Sequence, residues 1–188
     1  MKVKLIYIFC VVSILVLGCA KPPLAEMESA REAVFKAEND ANAVQYAPGT
    51  LARARDALRR MQSEADSKNY DAARTNAAEA ILAAEKAIND GRFAAQRAGS
   101  ESDTLIASLR EEIDETTRNV AGARYSQLAL DYNALERSIV SAHETTDRAE
   151  VDQLSGRYQD ALDKARIVRA DLSDINQKVA NAVTTRKK

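Results

Sequence analysis

Cys10, Cys19 and His143 are the only thiols and the only imidazole in a chain of 188 residues, and they bound its chemistry. A cysteine serves as half of a disulfide, a metal ligand, a nucleophile or a point of attachment. His143 sits between Ala142 and Glu144 with no second histidine to share a metal, so it reads as a solvated surface imidazole. No HExxH motif, glycine-rich phosphate loop or nucleophile elbow occurs. Glu111, Glu112, Asp114 and Glu115 form an acidic cluster without the turn glycine and regular oxygen spacing of a calcium loop. On an exposed helix face such carboxylates lack the positioning and the perturbed surroundings that acid–base catalysis needs. The residues therefore predict no catalytic group, no metal site and no cofactor, and the chain is read as a non-enzyme.

Cys19 is the informative thiol. Lys2 and Lys4 precede an apolar run from Leu5 to Leu17, which is shorter than the roughly 20 residues a spanning helix needs. A positive start, a short apolar stretch and small residues at its end describe an export signal. Val16-Leu17-Gly18-Cys19 resembles the bacterial lipobox. That resemblance implies cleavage before Cys19, a diacylglycerol thioether on its sulfur and acylation of its new amino group. The partner of the chain would then be a membrane, reached through acyl chains such as palmitate that each gain about 0.8 kcal/mol per buried CH2. Ala20, rather than Asp, follows the cysteine. By resemblance to lipoprotein sorting this implies the outer membrane, with the folded part in the periplasm. Cys10 leaves with the signal, so the mature chain is expected to hold its fold by packing alone.

Two basic groups carry further candidates. Arg53, Arg55, Arg59 and Arg60 crowd one segment. They read either as an anionic-partner face or as a solvated face paired with neighbouring helices. The chain ends Thr184-Thr185-Arg186-Lys187-Lys188. This end resembles the major outer-membrane lipoprotein of enteric bacteria, which has a lipidated cysteine, a heptad helix and a C-terminal Arg-Lys. The resemblance makes Lys188 a candidate for covalent attachment to peptidoglycan; a basic helix end is also favoured simply by the helix dipole. Without Lys2 and Lys4, 25 basic side chains face 28 acidic ones, a balance that gives no reason to expect nucleic acid as a partner.

The elements that hold these residues are read from hydrophobic spacing. Alanine dominates, tryptophan is absent, and there are only 6 Gly and 3 Pro. Met27, Ala30, Val34, Ala37, Ala41 and Val44 make a first helical stripe, which Tyr46-Ala47-Pro48-Gly49 interrupts. Leu51, Ala54, Leu58, Met61 and Ala65 make a second, ending near Ser67-Lys68-Asn69, and Asn69 is positioned to cap the next helix. That helix carries Ala73, Ala77, Ala80, Ala84 and Ala87. Gly91 weakens it, and Gly99-Ser100-Glu101-Ser102 is expected to end it. Ser100 to Asp103 has the outline of a capping box for a fourth stripe, Ile106, Leu109, Ile113 and Val120, with Gly122 as a kink. Leu128, Tyr132, Leu135, Ile139 and Ala142 form a fifth. A last heptad helix, capped by Asp147 and Glu150, is expected from Val151 and Leu154 through Tyr158 to Val179 and Ala182. It either pairs with another subunit or folds back on its own bundle.

The halves also match each other. Leu51, Leu58 and Ala65 align with Leu128, Leu135 and Ala142. Tyr70, Ala73 and Ala77 align with Val151, Leu154 and Tyr158 at an offset four residues longer. Asn69-Tyr70 with Ala73, Ala77, Ala80 and Ile81 resembles the second helix of a tetratricopeptide repeat, and Tyr158-Gln159-Asp160-Ala161-Leu162 echoes its closing stretch. Pro23 through about Ala98, with its Tyr46-Ala47-Pro48 corner, resembles an uncharacterised alanine-rich domain of bacterial envelope lipoproteins. That domain often precedes an OmpA-like domain that grips peptidoglycan, whereas residues 100–188 here are helical in pattern.

The fold expected is all-α: an antiparallel bundle or tetratricopeptide-like hairpins of five to six helices. Residues 1–18 read as signal, 19–23 as lipidated tether, 24–99 and 100–183 as two helical segments, and 184–188 as a basic tail. The function expected is a non-catalytic envelope lipoprotein that acts as scaffold or interaction module for other envelope proteins. The alternative is a structural tether between outer membrane and peptidoglycan.

Overall fold

Six helices follow one another in the computed structural model, which describes residues 21–186: α1 (Leu24–Glu38), α2 (Ala41–Tyr46), α3 (Pro48–Asp66), α4 (Tyr70–Tyr125), α5 (Tyr132–Leu154) and α6 (Tyr158–Arg186). The fold is all-α, as the spacing predicts, and no strand occurs among the described residues. The chain divides into two compact units between Arg92 and Phe93.

The first unit packs α1, α2 and α3 with the first part of α4. Its core is Met27, Ala30 and Val34 from α1, Leu51, Ala54, Ala57 and Met61 from α3, and Ala77, Ala80, Ala84 and Ala87 from α4. All four of these α4 alanines are fully buried, so the predicted stripe does face inward. Alanine contributes little apolar area but lets helix backbones approach closely. Arg–Glu pairs cross the seams: Arg55 to Glu38 at 2.7 Å, Arg60 to Glu79 at 2.8 Å and Arg74 to Glu26 at 3.6 Å. Each is half exposed and worth at most about 1 kcal/mol. Their effect is to select which helix faces meet.

The first predicted helix is two. The stripe from Met27 to Ala37 is buried, but Ala41 and Val44 are exposed, and Ala43 and Ala47 are buried in their place. Asn39 and Asp40 cause the break, because their short polar side chains compete for the local backbone. Asn39 Nδ2 donates to Phe35 O at 2.7 Å, and Asp40 Oδ1 accepts from Ala43 N at 2.8 Å, capping α2. The apolar spacing hides this, since it runs through the break in phase.

The opposite correction applies to α4. Gly99 to Ser102 does not end a helix, and Ser100 to Asp103 is no cap. Ser102 Oγ donates to Gly99 O at 2.8 Å and Thr104 Oγ1 to Ser100 O at 2.9 Å, one turn back inside a continuous helix. Gly91, Ala95, Ala98, Ser102 and Leu105 are buried and continue the three- and four-residue spacing from Ala87. Two predicted helices are therefore one. Gly91 is a contact rather than a weak point, for a Cβ there would lie 2.5 Å from the Asn42 carbonyl carbon. It is where the backbone of α2 meets α4. Gly122 is likewise inside the helix.

The second unit packs the later part of α4 with α5 and α6. Ile106, Leu109, Ile113 and Val120 are buried, as are Leu135, Ile139 and Ala142 on α5 and Ala161, Ala165, Val168, Leu172 and Ile175 on α6. The boundary predicted near Asp147 and Glu150 is absent. Thr146 continues the stripe, its hydroxyl donating to Ala142 O at 2.8 Å, and α5 runs on to Leu154. Val151 and Leu154 are 58% and 78% exposed, so they do not open the last stripe. The final helix folds back on α5. In the α4–α6 seam Asn176 Nδ2 donates to the buried Thr116 Oγ1 at 2.8 Å, and Asn119 Nδ2 donates to Asn176 Oδ1 at 3.0 Å. A polar pair in an apolar seam pins the register.

The turns after α3 and after α5 have the same hydrogen bonding, which the turn after α4 shares: Ser126 N donates to Gly122 O, Gln127 N to Arg124 O and Leu128 N to Ala123 O, with Gln127 at φ 51°. Ser67 N donates to Ser63 O, Lys68 N to Ala65 O and Asn69 N to Glu64 O; Ser155 N donates to Val151 O, Gly156 N to Gln153 O and Arg157 N to Asp152 O. Every residue of the turn after α5 lies 88 positions after its counterpart in the turn after α3, Ser155 after Ser67 and Arg157 after Asn69. This is the left-handed helix stop in which a residue of positive φ lets the chain reverse. The same step pairs Leu51 with Ile139, Ala54 with Ala142, Ala77 with Ala165 and Ala84 with Leu172, all buried. Tyr70 thus corresponds to Tyr158, not to Val151, and no change of offset is needed. The position of positive φ is Lys68 (62°) in one turn and Gly156 (76°) in the other. A side chain there costs about 1 kcal/mol. Lys68→Gly is expected to raise stability by about that much in a denaturant titration; an unchanged midpoint would show that the turn is not strained.

Candidate functional site

The lipidation candidate Cys19 and the attachment candidate Lys188 lie outside the described residues, as do residues 1–18, whose sequence reads as an export signal. No helix among the described residues is long and apolar enough to cross a membrane.

The structure separates the four arginines of α3. Arg55 reaches back to Glu38 on α1, and Arg60 reaches forward to Glu79 and, at 3.2 Å, to Asn76 Oδ1 on α4. Arg59 pairs with Asp56 on its own helix. Arg53 lies near enough to Asp90 to help hold that carboxyl below its ordinary value. The larger contribution comes from Lys86, whose Nζ donates to both Asp90 oxygens at 2.8 and 2.9 Å. Arg55 and Arg60 thus face different seams, and Arg53, Arg55, Arg59 and Arg60 do not converge on one anion. Of the acidic cluster, Glu112 accepts from Arg169 at 3.3 Å. His143 is exposed. Among the described residues no three acidic, histidine or cysteine side chains are grouped to hold a metal ion.

One carboxylate is held more tightly than the rest. Asp152, on the last turn of α5, is 7% exposed. Its Oδ1 accepts from Arg157 Nε at 3.0 Å and its Oδ2 accepts from Lys164 Nζ at 2.5 Å. Those bonds, Lys164's first and Arg157's second, hold its pKa below the ordinary 3.8. Asn69 and Glu64 make the counterpart contact in the first turn, Asn69 Nδ2 donating to Glu64 Oε2 at 2.8 Å. The folded pKa lies below the unfolded one, so the clamp stabilises the fold above the ordinary carboxyl range and is lost as pH falls through the folded value. The melting temperature is expected to fall on acidification below about pH 4. Asp152→Asn should melt lower than wild type at neutral pH and lose less on acidification; parallel pH profiles for the two would contradict this.

A different place has the shape of a site. Where the end of α4, the turn after it and the last turns of α6 meet in the second unit, they leave an open groove of about 630 Å³. Its walls include Gly122 and Ala123 of α4, Leu128 of the turn, and Val179 and Val183 of α6. Arg118 and Arg186 stand at its rim. Arg186 donates to the Ser126 carbonyl oxygen, and neither arginine has a carboxylate within salt-bridge distance among the described residues. Tyr125, just beyond, is 92% exposed, and Arg124 stacks 4.9 Å from the centre of the Tyr132 ring. The groove escapes a residue-by-residue search for chemistry, because none of its residues is reactive. The legible signal was charge spacing: residues 116–130 and 175–188 together contain no Asp or Glu.

Residues 25–102 match a family model, Domain of unknown function (DUF4398). The match takes in α1 to α3 and part of α4, and so includes the whole core of the first unit. No curated protein and no solved structure matches the chain.

Proposed function

We propose that the protein is a lipid-anchored component of a bacterial cell envelope, a helical docking module without catalytic activity of its own. The lipobox-like Val16-Leu17-Gly18-Cys19 after a short apolar run supports the anchor. One observation carries the module: the α3–α4 and α5–α6 hairpins match in their turn and in their buried positions at a single step of 88 residues, one hairpin in each unit. Repeated helical hairpins present long side-chain faces on rigid backbones, the form in which helical repeats bind other proteins. Ala20 after the cysteine favours the outer membrane, with both units in the periplasm.

The anchor is tested by feeding cells a palmitate probe. Label on the wild-type chain, absent from Cys19→Ser, is the expected result; equal labelling would remove the lipid from the reading. The module is tested by photo-crosslinking the full chain in cells from several exposed positions in each unit. Reproducible capture of envelope proteins is expected, and no capture from any position would end the docking reading.

The basic end Arg186-Lys187-Lys188 supports a second reading, a tether to the wall. Sacculi boiled in detergent would then retain the protein until lysozyme releases it, and deleting Lys188 would abolish that retention. Complete release by detergent would exclude the covalent tether.

A further inference from the structure

We propose that the groove at the α4–α6 end of the second unit binds an acidic, amphipathic peptide segment of a partner protein. The inference rests on the reading of the chain as a docking module and names the place and the chemistry of the docking. Three observations combine. The walls are largely apolar: Ala123 and Leu128 are buried, Val179 is half-buried and Val183 is 38% exposed. The rim is cationic, with Arg118 and Arg186 facing no carboxylate of the described residues. The segments that line it carry no negative charge: residues 116–130 and 175–186 contain no acidic residue, and Glu112 and Glu115 belong to the adjoining hollow beyond Asn119 and Val179. Arg124 and Lys178 are spent on Glu136 and Asp174, at 2.8 and 2.6 Å.

A chain of net charge −1 that gathers unopposed cations over an apolar trough selects a complementary ligand. Apolar side chains of that ligand cover Val179, Val183 and Leu128, and its carboxylates take forked hydrogen bonds from Arg118 and Arg186. The backbone at Gly122 is open above, for a Cβ there would meet nothing within 4 Å, so a peptide can approach α4 closely. A peptide helix suits the space better than an extended strand, because the groove offers helix flanks and no sheet edge for a strand to pair with.

The test uses the full chain in neutral phosphatidylcholine nanodiscs, with empty discs subtracted. The probe is a fluorescent 14-residue peptide of two Leu-Glu-Glu-Leu-Leu-Glu-Glu repeats, read by anisotropy. Saturable binding is expected, weakened by salt, absent for the same peptide with Lys in place of Glu. Arg118→Glu and Val183→Asp should each weaken it by about tenfold or more. Arg97→Glu, on the exposed face of α4 elsewhere in the unit, should leave it unchanged, and circular dichroism should show all three variants folded. No saturable binding, or equal binding by Arg118→Glu and wild type, would overturn the proposal. So would Arg118-dependent binding to phosphatidylglycerol vesicles in place of the peptide. In the cellular crosslinking experiment, capture from other positions but none from position 183 would remove the groove and keep the module; no capture anywhere would remove both.

Discussion

Ala80→Glu is expected to unfold the first unit at temperatures where the wild type is intact, while Ala78→Glu, two residues away, melts like wild type. Ala80 has no exposed surface and sits in the core with Met27, Leu51 and Met61. Ala78 is exposed on the other side of the same turn. A carboxylate at position 80 either displaces the neighbouring helices or stays buried without a counter-ion, at a cost on the order of 3–5 kcal/mol. Thermal melts followed by circular dichroism separate the two variants directly. Matched melting temperatures would mean that the alanine stripe of α4 does not face the core.

Gly91→Ala should destabilise, against the expectation from helix propensity alone. In the interior of a helix, alanine is better than glycine by about 1 kcal/mol. At position 91 the new methyl would stand 2.5 Å from the carbonyl carbon of Asn42 and 2.6 Å from the amide nitrogen of Ala43. Those are backbone atoms of α2, which cannot rotate away as a side chain would, so α2 must shift as a body. Overpacking of this kind costs typically about 1–3 kcal/mol, enough to reverse the gain. Gly122→Ala is the internal comparison. It lies in the same helix with nothing within 4 Å of its built Cβ, and is expected to stabilise by up to about 1 kcal/mol. Opposite signs at the two glycines would confirm the crossing of α2 over α4. A gain at both would mean that α2 does not press on Gly91.

These glycines show why the segmentation of the chain was harder to read than its class. Gly91 and Gly99 look like breakers when only local preference is weighed. Each is instead a place where another group comes close: the α2 backbone at Gly91, and the Tyr158 ring at 3.3 Å from a built Cβ at Gly99. The clue was spacing. Gly91, Ala95, Ala98 and Ser102 hold the three- and four-residue period that Ala87 hands on to Leu105. Small residues within an unbroken period signal close packing, not an end. At Asn39-Asp40 the reverse held, with the period unbroken although the helix was not. Side-chain bonds to the local backbone won there, and a hydrophobic pattern does not register them.

The candidate residues divide along the same line. A cluster of arginines on one segment, Arg53 to Arg60, reads as one face until the packing distributes it between Glu38 on α1 and Glu79 on α4. Helix rotation decides that distribution, and rotation is set by which alanines meet. The sequence by itself determined the all-α class, the alanine stripe at positions 73 to 87 and the Ala47-Pro48 corner. These follow from periodicity and from motifs that are local in the chain. Tertiary structure alone decided that α4 continues to Tyr125, that the repeat steps by 88 residues with Tyr158 answering Tyr70, and that residues 118 and 186, far apart in sequence, share one groove. Each of those depends on groups brought together only when helices pack: spacing and charge leave traces of them along the chain, but only the packing says which groups meet.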